Sequence, residues 1–88
     1  MKLEEFLGYI SEGREFEFTL NNLSLYMCYK MEELNGKEIP IWYVYDTTNP
    51  HKGVEIFHGT EAELLEFDFG SNITFKNSLE SFTFEWIL

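Results

Sequence analysis

Eighty-eight residues carry sixteen Asp and Glu against six Lys and Arg, a formal net charge of −10, yet 18% of the chain is aromatic, with nine Phe, five Tyr and two Trp. Such aromatic content excludes a disordered acidic tail, so the charge must coat something that packs. The length allows one domain, residues 1–88, and no second core, while the reversed charge balance excludes direct gripping of nucleic acid, whose phosphates are held by Lys and Arg.

Leu3, Phe6, Leu7 and Ile10 recur at the spacing of one helical stripe, which predicts a helix over about residues 2–11. Glu4 and Glu5 fall in its first turn, where the helix dipole favours anions, and Gly13 ends it. From Arg14 the period changes to two. Phe16, Phe18 and Leu20 point one way and Glu15, Glu17 and Thr19 the other, the pattern of a half-buried strand. Asn21-Asn22 suits a tight hairpin. A second strand follows, with Leu23, Leu25, Met27, Tyr29 and Met31 on one face and Ser24, Tyr26, Cys28 and Lys30 on the other. Asn35-Gly36 is a strong turn signal.

The third strand, Ile39 to Tyr45, is apolar or aromatic on both faces, which predicts a central position or a covered outer face, with Pro40 at its start. After the polar loop 46–53, Val54 to His58 forms a fourth short strand that completes a meander. Thr60 with Glu63 has the form of a capping box and introduces a short helix to about Glu66 or Phe67, closed by Gly70 and Ser71-Asn72. In 73–81, Ile73-Thr74-Phe75 alternates like a strand, while Ser78 to Ser81 fits one helical turn. Phe82, Phe84, Trp86 and Leu88 alternate with Thr83, Glu85 and Ile87, so a last strand is expected beside one of the others. The sum is an α+β fold: an antiparallel sheet of four to six strands, an N-terminal helix packed on one face, and a second short helix before the C-terminal strand.

Chemistry-bearing motifs are sparse. His51 and His58 are seven residues apart and match no tight zinc spacing with Asp46 or Glu55, so no metal is expected and a solvated histidine explains each. Cys28 stands alone, which rules out an internal disulfide, and acidic surroundings oppose an activated thiolate. The carboxylate pairs alternate outward from apolar faces and read as solvated surface rather than acid-base machinery. The glycines are scattered through turns, without a phosphate cradle, so no cofactor is expected. The acidic N-terminus lacks a signal-peptide pattern and Ile41–Tyr45 is far short of a membrane span, which together predict a cytoplasmic protein.

The charge and the rings supply the functional expectations. Glu15 and Glu17 on one strand, with Glu85 on a neighbour, would form a negative patch that steers a basic partner such as a nuclease or a nucleic-acid-binding factor. Plain solubility explains the same acidity. Trp42, Tyr26, Tyr43, Tyr45 and Trp86 cannot all face one core, because neighbours on a strand point to opposite sides. A second apolar layer is therefore expected, covered by residues 60–81 or else exposed as a partner or homodimer interface. Glu15, Glu17, Glu85, Trp42 and Tyr45 are the candidate partner-binding residues.

The N-terminal helix, Gly13-Arg14-Glu15-Phe16-Glu17-Phe18 opening a meander, and Thr60-Glu61-Ala62-Glu63-Leu64-Leu65 before an aromatic last strand resemble in layout many small uncharacterised proteins of Gram-positive bacteria and their prophages. The resemblance implies a bacterial cytoplasm and a mobile-element setting, and brings no activity or site residue. The leading expectation is a non-enzymatic protein-interaction domain, acting as an inhibitor, an immunity protein or a nucleic-acid mimic. The alternatives are a ligand-binding protein or enzyme with a pocket near the 46–53 loop, and a homodimeric structural protein.

Overall fold

The first helix, α1, spans Leu3–Ser11 in the computed structural model, which describes residues 1–88. Its apolar stripe buries Phe6 and Ile10, and the Glu5 carboxylate accepts from the Lys2 backbone N–H at 3.3 Å. Gly13 turns the chain into the sheet with φ +71°, a conformation that costs most residues strain. It is also the place where the Tyr29 ring comes closest: a Cβ on Gly13 would sit 2.6 Å from Tyr29 Cε1.

Five antiparallel strands follow: β1 Phe16–Leu20, β2 Leu23–Leu34, β3 Lys37–Asp46, β4 Val54–Gly59 and β5 Thr83–Ile87, in the spatial order β4-β3-β2-β1-β5. The first four form the expected meander. Asn21, at φ +53°, turns β1 into β2 with Leu20 opposite Leu23. At the next turn Asn35 and Gly36 both take positive φ, as a type I′ hairpin requires, and Leu34 pairs with Lys37. Pro40 lies inside β3 rather than at its start. Because β4 pairs only with Trp42–Asp46, the stretch around Pro40 has a free edge, where a missing donor is tolerated.

One face of the sheet carries Phe16, Phe18, Leu20, Leu25, Met27, Trp42 and Val44, all buried. Against it pack α1 and the segment after β4: α2 Glu61–Glu66 through Leu64, α3 Phe75–Ser78 through Phe75, and the 3-10 turn Leu79–Ser81 through Leu79. Phe75 sits at the centre, its ring centroid 4.7 Å from those of both Phe6 and Phe82. Each fully buried ring of this kind contributes on the order of 1.5–3 kcal/mol. Residues 60–81 therefore share the face that α1 covers. The second apolar layer is left open, and the cover expected of this segment is not there, because Leu64, Phe75 and Leu79 bury themselves against the phenylalanine face.

Two local readings change as well. Ile73-Thr74-Phe75 is not a strand: Thr74 Oγ1 accepts from Asn77 N–H and the Asn77 side chain accepts from Thr74 N–H, both at 3.1 Å, a reciprocal cap that starts α3. In β5 the alternation breaks. Phe84 lies opposite Phe18 and Ile87 opposite Phe16, so Glu85 is an inserted residue and Trp86 turns to the other face, opposite Glu17. The Thr60 box forms as expected, with Glu63 N–H donating to Thr60 Oγ1 at 3.3 Å and Thr60 N–H to Glu63 Oε1 at 2.9 Å.

Candidate partner-binding face

The alternation that sends Phe16 and Phe18 inward sends Glu17 and Thr19 outward. The same parity places Tyr26, Cys28, Lys30 and Glu32 of β2, Tyr43 and Tyr45 of β3, Glu55 and His58 of β4, and Trp86 of β5 on that outer face. No helix lies over it. Its rings run across the strands: Tyr26 to Tyr45 with centroids 6.4 Å apart, Tyr45 to Tyr43 at 6.4 Å and 12° from parallel, then Tyr43 to His58 at 5.8 Å. Trp86 stands at the other edge, 59% exposed. Each phenol offers an apolar flank and a polar tip, the combination suited to a surface that is wet when free and covered when bound.

Carboxylates border these rings. Glu17 lies in register between Tyr26 and Trp86, and with Glu85, Ser24 and Thr47 it lines a shallow cleft of about 290 Å³. Glu15 is fixed by its backbone, which exchanges hydrogen bonds with Leu88 at 3.1 and 2.8 Å. Burial, followed by the nearby Glu15 carboxylate, holds the Tyr26 phenol well above its ordinary pKa. Burial and then the Glu15 charge likewise raise the Cys28 thiol, so the thiol stays protonated. Toward β4, the Tyr43 phenol donates to Glu32 and is pushed up to about 12, chiefly by that bond. Lys30 Nζ lies 5.1 Å from the Tyr43 ring centroid. His58 Nδ1 pairs with Glu55 Oε2 at 2.8 Å, a bond that raises the imidazole pKa.

Of the residues singled out from sequence, Glu15, Glu17, Glu85 and Tyr45 do share this face, and β5 does run beside β1 as the patch requires. Trp42 does not belong to it. Ile41 and Tyr43 take the outer side of β3, so Trp42 points inward, 1% exposed, opposite Gly59 and 5.3 Å from the Tyr29 ring. Tyr26, Tyr43 and Trp86, counted in the sequence only among the surplus rings, are members, as are Glu32 and Glu55. For Tyr43 the signal available was chemical: beside Trp42, it is the ring with a hydroxyl. Glu61, Glu63 and Glu66 belong to α2 on the helical side, and of these only Glu63 reaches this face, by adding to the charge that raises His58.

The histidine and loop chemistry stays dispersed. Asp46 is held below its ordinary pKa by the Thr48 side chain and then by Thr48 N–H, which donates to it at 2.9 Å, and His51 N–H donates to Asn49 Oδ1. Neither residue lines a cleft, and Thr47 is the only member of the 46–53 loop that does. No group of three His, Cys, Asp or Glu side chains is placed to hold a metal ion. No helix is long and apolar enough to cross a membrane. No family model, curated protein or solved structure matches the chain.

Proposed function

We propose that this chain is a non-enzymatic interaction domain whose open sheet face docks a basic protein surface in the cytoplasm. One observation carries the reading: the uncovered face joins a row of stacked tyrosines and an exposed Trp86 to the carboxylates of Glu15, Glu17, Glu32, Glu55 and Glu85. Aromatic rings are the side chains that most often anchor protein contacts, and a negative border steers and orients a positive partner. A nuclease or another protein that itself holds nucleic acid presents the complementary charge, which makes the domain inhibitor-like, immunity-like or a nucleic-acid mimic.

The test uses proteins captured from the native host by the full chain and by Glu15→Gln/Glu17→Gln/Glu85→Gln. The captured partner is expected to be basic, to bind about tenfold more weakly to the triple variant, and to dissociate as salt rises. Undiminished binding by the variant rejects these residues as the contact site.

A further inference from the structure

The β2–β3 hairpin is longer than its neighbours on both sides. β1 pairs with β2 only as far as Met27, and β4 with β3 only from Trp42 onward. Beyond these points the two strands continue, paired to each other, to Leu34 and Lys37, and every residue from 29 to 38 is exposed. A two-stranded ribbon is marginal without cover. This one nevertheless displays Tyr29 and Met31, 37% and 52% exposed, on the side of the sheet where α1 lies. They extend the buried row of Leu25 and Met27 past the last turn of α1, and with Pro40 and Trp42 they floor a cleft of about 270 Å³.

The rim is acidic. Glu12 and Glu61 border the cleft on the helical side, and Glu12 is already paired with Arg14 at 3.0 Å. On the arm, Glu33 and Glu38 lie directly opposite each other, two residues beyond the Met31–Pro40 pair and so on the same face. Like charges opposed across strands destabilise the free protein, and a cation placed against them relieves that repulsion. We infer that this cleft is a second docking site, taking a segment of another protein that lays an aliphatic side chain on Tyr29 and Met31 and brings Lys or Arg to Glu33, Glu38 and Glu61. A second copy of this chain is the wrong occupant: it would bring another net charge of −10 to an acidic rim. The site shares no residue with the open face, so either surface stands without the other.

The experiment titrates the isotope-labelled full chain with a short peptide of alternating Lys and Leu, followed by NMR. Backbone shifts are expected at Gly13, Tyr29, Met31 and Trp42. Met31→Lys, at an exposed position, is expected to weaken binding about tenfold, Glu33→Gln/Glu38→Gln about fivefold, and Ser in place of Leu in the peptide about tenfold. Shifts confined to Tyr26, Tyr43 and Trp86, unchanged affinity in both variants, self-association of the chain, or no binding of the peptide would each overturn the inference.

Discussion

The two faces of the sheet use the same strands and treat their rings differently. None of the nine Phe is exposed and none of the five Tyr is buried. The helical side has no buried polar side chain, while on the open side the Tyr43 phenol donates to Glu32 and the Tyr26 phenol has the Glu15 carboxylate nearby. Where a Trp and a Tyr are neighbours, as at Trp42 and Tyr43, it is the phenol that takes the open side and finds a carboxylate, since a buried hydroxyl needs a partner. The covered face holds the fold, and the open face is free to carry another task.

The sharpest way to break this division is to remove one ring from each side. Phe18 touches Phe69, Phe75, Phe82 and Phe84, with centroids 5.6–6.4 Å away. Phe18→Ala is expected to cost about 3–5 kcal/mol in urea unfolding, much of what a domain of this length possesses. Trp86→Ala is expected to stay within about 0.5 kcal/mol. Comparable losses would show that the open face is structural. Next in size, Gly13→Ala strains a left-handed backbone and drives a methyl into the Tyr29 ring, for an expected loss of about 1–2 kcal/mol. A neutral outcome would uncouple the end of α1 from the arm.

The smallest effect sharpens the electrostatics of the open face. The bond to Glu55 raises His58 above its ordinary value of 6.5. A group raised on folding contributes stability that is complete below the unfolded value and vanishes as pH climbs through the folded one. The pair therefore supports the fold fully below 6.5 and stops doing so as pH climbs past the raised value. In an NMR titration Glu55→Gln should return the imidazole toward 6.5, and an unmoved titration curve would dissolve the pair.

Much of this architecture was legible in the chain. The stripe Leu3, Phe6, Leu7, Ile10, the alternation of Phe16 and Phe18 with Glu15 and Glu17, the Asn35-Gly36 turn and the Thr60 box each state a local preference that the fold keeps. Parity arguments failed where one residue was inserted: Glu85 bulges, and every side chain after it changes sides, which no period of two can foresee. Thr74 misled because its cap depends on Asn77 three residues on and its flanking apolar residues suit a strand equally well. Trp42 was misplaced because both faces of β3 are apolar or aromatic, and its side follows from its pairing with Tyr29 in the inward row of β2. The open face was legible only in part, since the sequence does not say on which side the 60–81 segment will fold.

The register between β1 and β5 has a kinetic consequence. Each hairpin of the meander closes between neighbours in the sequence, whereas Phe16 must find Ile87 and Phe18 must find Phe84, near opposite ends of the chain. Such distant partners meet late, because the entropy of closing the long loop is lost before any contact compensates it. Until they meet, β1 presents a bare edge studded with phenylalanine, and in that interval the nascent molecule is most open to pairing with the wrong chain.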